Sequence, residues 1–350
     1  MDNSEALLDF NYRLFVFGET HGWPVNYEIV LFHLKLLHEN ANVRTVFIEL
    51  PCFVGVYYNY LLENPQVDLD SFASQTSDYY MLRKDSRDIF QQFRDFYQTL
   101  PHEQKFKFLG VNYMHKFQIP HMFQALEMLL PSNHAPKELE NDIAIIRKIN
   151  KTPTSIDNYF KILDFLFQSF NVNQNVYYDY LGNHFEDFEN LLLNGIESPN
   201  LWNVKYSQYC DYDEKVIDKR EEFLYNNISR SIKNKKDEGF IALLGNFHTY
   251  LTAHEYWCGF LSKKKSFESV VAKLNTRKSS TLQSQVCIYR VYYFFNYIAY
   301  LKSERLIHRT IRNTLSKGFL YTIKLNEKNS PFADVAEKQY QYVIAVWKDM

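Results

Sequence analysis

Short apolar runs alternate with helically spaced apolar positions along the first third of the chain. Arg13 to Phe17 is an apolar run that reads as a buried strand. Pro24 suits the first turn of a helix, and Ile29, Phe32, Leu36 and Leu37 continue near helical spacing. Arg44 to Leu50 predicts a second strand, stopped by Pro51. Ile89, Phe90, Phe93, Tyr97 and Leu100 mark an amphipathic helix, and Lys105 to Val111 a third strand. The order β-α-β-α-β is that of a parallel sheet with helices on its faces.

From Ile119 to Ile232 the pattern turns helical and more polar, broken by Pro131, Pro136, Pro153 and Pro199. It predicts a helical layer inserted over the sheet. Its last helix, about Asp213 to Ile232, leads into an apolar strand from Phe240 to Leu244. A helix is expected after His248. Further strands, some antiparallel, are expected at Phe267 to Leu274, Phe319 to Leu325 and Tyr342 to Trp347. The predicted class is α/β: a central, mostly parallel sheet with flanking helices and an inserted helical layer at about 119–232, within a single domain spanning 1–350.

Composition narrows the function. With 350 residues, 46% hydrophobic and 23% charged, the chain can bury one large core. With a net charge of -2, nothing argues for a nucleic-acid or anionic-membrane partner. The runs Lys263 to Lys265 and Lys233 to Lys236 read as solvated helix ends and loops. The 27 Tyr and 29 Phe fit either base-composition bias or an aromatic cleft wall. Cys52, Cys210, Cys258 and Cys287 form no Cys-x-x-Cys pair, so buried reduced thiols are expected. Met1 to Asn11 has no signal-peptide pattern. Val286 to Leu301, interrupted by Arg290 and Asn296, is too short and polar to span a bilayer. A soluble, cytoplasmic protein is expected.

The candidate chemistry sits where strands end. Leu14 to Phe17 runs into Gly18-Glu19-Thr20-His21-Gly22, and Phe240 to Leu244 runs into Gly245-Asn246-Phe247-His248. Two strands thus end in Gly-x-x-His, and the glycine of each copy is expected to let the chain turn off its strand. Glu49 closes the second strand, and Asn112 follows the third. Ligands of parallel sheets bind at the carboxyl ends of strands, so a sheet that is parallel here brings these groups to one rim. Two imidazoles and two carboxylates together suit water activation or metal binding. Taken singly, each has a plainer reading: a helix-capping histidine, a Glu paired with a core Arg, an Asx turn.

Other polar residues are less marked. Glu28 lies two helical turns after His21, on a face that can point back to the cleft. Arg94 precedes the third strand and Arg220 opens the helix before the fourth motif; either can bind a substrate anion or sit on the surface. The remaining histidines, His33 and His38 among them, are expected to be structural or solvated. No Gly-x-Ser-x-Gly elbow is present, which disfavours a serine nucleophile.

These motifs resemble those of erythromycin esterase-type proteins over roughly Leu14 to Thr249. Phe17-Gly18-Glu19-Thr20-His21-Gly22 is similar to their opening motif, and Glu49 to the acid that ends their second strand. Phe93-Arg94-Asp95-Phe96-Tyr97 resembles their Trp-Leu-Arg-x-Tyr segment, and Gly110-Val111-Asn112 their Gly-Val-Asp. Arg220-Glu221 with Asn227 resembles their Arg-Asp…Asn helix, and Asn246 and His248 their closing His-Asn-x-His. Here Asn112 replaces an acid, Glu221 an Asp, and Gly245 a His. The helical region does not match, so macrolide specificity is not implied. The wider superfamily includes haem-binding ChaN-like and Tiki/TraB-type proteins, which share paired Gly-x-x-His motifs.

The resemblance implies an ester or lactone hydrolase in which His21 activates water, Glu19 and Glu49 orient it, and His248 assists. Arg94, Arg220, Asn112, Asn246 and Glu28 are candidate substrate-binding or positioning residues. The expected partner is a small-molecule substrate, with no nucleic acid and no membrane, and no cofactor is expected. Two alternatives remain open. One is a metal-dependent hydrolase or peptidase, with Mn²⁺ or Zn²⁺ held by His21, Glu49 and His248. The other is a non-catalytic haem- or ligand-binding protein.

Overall fold

Leu14–Glu19 forms β1 with every residue buried, the pattern of a strand covered on both faces. The computed structural model describes residues 9–76, 80–151, 154–202, 214–257, 264–293, 320–324 and 341–346. In chain order, β1 is followed by α1 (Val25–Asn40), β2 (Val43–Pro51), α2 (Cys52–Glu63), α3 (Leu69–Thr76), α4 (Arg87–Thr99) and β3 (Lys107–Asn112). Then come α5 (Ile119–Met128), α6 (Glu140–Ile149), α7 (Ile156–Val172), α8 (Gln174–Leu181), α9 (Phe185–Glu197), α10 (Pro199–Trp202) and α11 (Glu214–Ile232). The remainder holds β4 (Gly239–Gly245), β5 (His254–Trp257), β6 (Lys264–Phe267), α12 (Val270–Thr276), β7 (Val286–Tyr293), β8 (Leu320–Lys324) and β9 (Tyr342–Val346). The architecture is α/β, with a mostly parallel sheet and flanking helices.

The chain divides into two compact units. The first comprises Met1–Phe47, Pro101–Phe106 and Ile228–Met350; the second comprises Ile48–Leu100 and Lys107–Asn227.

In the first unit the strand order is β2-β4-β1-β7-β9-β8. β1 is parallel to β4 and β7, β7 is parallel to β9, and β8 is antiparallel to β9. β5 and β6 form a separate antiparallel pair. Register places Phe17 beside Tyr289 and Tyr289 beside Tyr342. Their rings stack at 4.9 and 4.7 Å, a row across three strands. Onto this row α1 lays His33, whose ring lies 4.7 Å from Phe17 and 5.7 Å from Tyr289. Ile29, Val30, Leu34 and Leu37 complete the buried stripe of α1.

In the second unit β3 lies beside the end of β2. α2 packs on β3, and the Asn59 amide bonds both the N–H and the C=O of Phe108, at 2.8 and 3.0 Å. The region after β3 is helical, as its pattern predicts. There the buried Asp142 of α6 accepts from Ser169 of α7 and Tyr177 of α8, at 2.5 and 2.6 Å. This ties three helices through one carboxylate. Burial, followed by the bond to that carboxylate, raises the Tyr177 phenol pKa.

Several expectations need correction. α2 escaped the pattern because it is apolar on nearly all sides, which erases helical periodicity. Val270–Thr276 within the expected strand at Phe267 to Leu274 is helix α12, started by Ser269, whose hydroxyl accepts from Ala272 N–H. After β4 there is a single tight turn, Asn246–His248, and then β5 rather than a helix. Lys264 and Lys265 lie in strand β6, while Lys263 falls outside the described residues. The apolar stretch starting at Val286 is strand β7, and its part beyond Tyr293 is likewise outside. β8 and β9 fall where strands were expected, Trp347 lying beyond the described residues. Cys52 and Cys287 are buried; Cys210 and Cys258 lie outside the described residues. Among the described residues no helix is long and apolar enough to cross a membrane.

Candidate active site

The two Gly-x-x-His motifs end neighbouring parallel strands. β1 and β4 pair in register from Leu14 with Phe240 to Glu19 with Gly245. Both histidine-bearing segments therefore leave the first unit's sheet at the same end. That is the ligand-binding end of a parallel sheet.

At the end of β1, the buried Glu19 carboxylate engages two partners. One oxygen meets Nδ1 of His21, whose side chain is 47% exposed, and the other accepts from the Asn26 amide. Asn26 also donates to the Thr20 carbonyl at 2.9 Å, closing the loop between strand and helix. The Glu19–His21 bond fixes the tautomer: Nδ1–H faces the carboxylate, and Nε2 carries the lone pair. Gly22, with φ 90°, holds the left-handed conformation that the loop requires after His21.

Gly18 and Gly245 serve differently from the expected turn residues, since both are in strands. A Cβ on Gly18 would sit 2.6 Å from Thr249 Oγ1 and 2.8 Å from Asn246 Oδ1. The glycine lets the second histidine turn pack directly over β1.

That turn, Asn246–His248, buries His248 under the half-exposed ring of Phe247, with centroids 5.9 Å apart and edge-to-face. Phe247 stacks in turn on Phe267 at 4.3 Å. The turn closes on the Asn246 carbonyl, which accepts from Thr249 N–H, from the Thr249 hydroxyl and from Arg290 Nη1. Among the described residues the Asn246 side-chain oxygen is buried without a hydrogen-bond partner.

The second unit holds Glu49, Arg94, Asn112 and Arg220. Glu49, buried at the end of β2, pairs with Arg220 of α11 at 2.5 Å. The Arg220 guanidinium also lies 6.0 Å from the Tyr113 ring centroid. Partial burial, and then the Arg220 charge, lower the pKa of nearby His115. Asn112 caps the amide of Tyr113 with its own side chain, and its carbonyl accepts from Asn194 at 3.1 Å. Asn227 bonds the Val111 carbonyl at 2.9 Å. Arg94 is buried and bonds the carbonyls of Leu61, Pro65 and Val67, so its guanidinium holds the chain between α2 and α3.

Glu28 is exposed on α1, and the side chain that reaches the Glu19 carboxylate from this helix is Asn26. Asn26, Thr249 and Arg290 were not singled out by motif. The sequence carries a lone cation within the apolar run of β7 as a signal for Arg290, and none that ties Asn26 or Thr249 to the site. Among the described residues no group of three or more His, Cys, Asp or Glu side chains gathers as a metal site.

No protein-family model matches the sequence, and no curated protein matches it. Solved structures do. A mutant of the erythromycin esterase EreC in its open conformation matches with a TM-score of 0.57 at 9% identity, over 98% of this chain and 95% of that one. A succinoglycan biosynthesis protein gives 0.59 at 12% identity, over 96% and 88%. A Bacillus cereus protein gives 0.58 at 12%, again over 96% and 88%. The chain shares their α/β fold. At such identities the likeness extends to fold and not to activity.

Proposed function

We propose that the protein is a hydrolase that cleaves an ester or lactone of a small molecule with water activated by His21. The observation that carries this reading is the Glu19–His21 pair. A buried carboxylate, itself braced by Asn26, orients an exposed imidazole at the ligand-binding end of the sheet. Nε2 takes a proton from water as its oxygen attacks the carbonyl. The same proton passes to the departing alkoxide, giving acid and alcohol. His248 assists from the adjoining turn. The fold shared with an esterase agrees with this reading.

The test is turnover of a panel of aryl esters and macrolactones by the native chain and by His21→Ala. Loss of the base is expected to lower kcat by about 10²–10⁴-fold. Full activity in a folded His21→Ala protein would overturn the mechanism. The mechanism draws on protein groups alone, so activity is expected to persist after dialysis against chelator. Loss that Mn²⁺ or Zn²⁺ restores would move the chemistry to a metal-bound water.

A further inference from the structure

β7 carries a buried cation that the chemistry above does not use. Arg290 is 5% exposed in a strand whose neighbours Ile288, Tyr289 and Val291 are apolar and buried. Placing a charge there is costly unless its donors are taken up, and an apolar side chain would suit the sheet better. The guanidinium reaches the histidine turn. Nη1 donates to the Asn246 carbonyl at 2.6 Å and to Thr249 Oγ1 at 3.3 Å, and the group lies 5.4 Å from the Tyr250 ring centroid.

The strand register explains how it gets there. Arg290 stands beside Gly18 on β1, so both point to the same sheet face. Gly18 leaves the space that Thr249 and Asn246 fill, and Arg290 bonds what fills it. Further along, Ser269 holds Tyr250 through both its N–H and C=O, at 3.3 and 2.9 Å. The turn is thus fixed at both ends, with His248 between the anchors.

We propose that Arg290 is a positioning residue of the site: it sets the conformation of the 246–249 turn and, through it, the placement of His248. The assignment deepens the hydrolase reading and rests on it for its catalytic meaning. The guanidinium acts on a backbone carbonyl two residues before the imidazole, so its loss frees His248 without removing any reacting group.

The test uses the full chain with Arg290→Ala and Arg290→Lys. The readout is the His248 ring resonances in ¹H–¹⁵N spectra, assigned with His248→Gln. His33, packed on the opposite sheet face against Phe17, is the internal control. In Arg290→Ala the His248 resonances should leave their native positions while those of His33 stay. Guanidinium added well below denaturing concentration should restore them. Native His248 resonances in the variant, equal displacement of His33, or failure of guanidinium to restore the signal would each overturn the proposal. If Arg290→Ala does not fold, Arg290→Lys decides. An ammonium cannot reproduce the guanidinium fork, so displaced His248 resonances at an unchanged melting temperature are expected, and native ones overturn it. If the native chain hydrolyses an ester, Arg290→Lys should lower kcat with KM unchanged. If it hydrolyses none, the hydrolase reading falls, and the resonances still decide whether Arg290 places His248.

Discussion

The carboxylate of Glu19, the last residue of β1, holds Nδ1 of His21 two residues along the chain. Its second oxygen takes the amide of Asn26 from the first turn of α1. One side chain thereby fixes the base, the loop and the helix start together. Glu19→Gln keeps the shape but offers a single acceptor oxygen to two donors. We expect kcat on a cleaved ester to fall by about 10²–10⁴-fold, as for loss of the base itself. A drop confined to KM, in steady-state kinetics, would assign Glu19 to substrate binding instead.

Gly18→Ala tests the packing of the second histidine turn over β1. The new Cβ would come within 2.6 Å of Thr249 Oγ1, a group already bonded to the Asn246 carbonyl and to Arg290. The turn must shift, at a cost of about 1–3 kcal/mol, the range for overpacking a filled site. Urea unfolding of native and variant chains measures it. An unchanged midpoint would mean that the turn is loose rather than clamped.

Much of this arrangement was legible in the sequence, and the parts that were not have physical reasons. β1 and β4 showed as uninterrupted apolar runs because parallel strands are buried on both faces. The Gly-x-x-His ends of both strands are therefore readable from the sequence pattern alone. α2 was invisible because Phe53 to Tyr58 is buried throughout and lacks a polar face. Val270 and Val271 read as strand residues, and the signal that they open a helix was the capping hydroxyl of Ser269. Arg290 looked like a break in an apolar stretch. Its place in the site depends on the pairing of β7 with β1, a relation between segments far apart in the chain. Asn26 was hidden for a related reason, since no motif shows that an amide on α1 meets a carboxylate on β1.

In the second unit, the Glu49–Arg220 pair joins a strand end to α11 at 2.5 Å, the carboxylate side chain 3% exposed and the guanidinium 26%. Partial burial strengthens the attraction between the two charges, and removing one leaves the other buried and uncompensated. A double-mutant cycle with Glu49→Gln and Arg220→Met should return a coupling of about 1–3 kcal/mol, read from urea unfolding. Additive single-variant effects would show that the two groups are held by other contacts and not by each other.

The buried His33 makes the protein sensitive to acid in a defined window. Its ring is enclosed by Phe17, Phe32 and Tyr289, with Nδ1 2.8 Å from the Ile29 carbonyl. Burial lowers its pKa from 6.5 to about 4, against the opposing effect of that carbonyl. Above pH 6.5 the ring is neutral in both folded and unfolded chains, and pH has no leverage through it. As pH falls below 6.5, the unfolded chain takes up a proton that the folded one refuses, so stability is lost down to about pH 4. Below that, both states are protonated and the loss stops growing. The gap between 6.5 and about 4 corresponds to about 3 kcal/mol. His33→Phe keeps an aromatic ring in the cluster and removes the titration. Urea unfolding from pH 7.5 to pH 4 should therefore show the native chain losing about 3 kcal/mol more than the variant. Parallel curves for the two proteins would show that His33 is protonated in the folded state as readily as in the unfolded one.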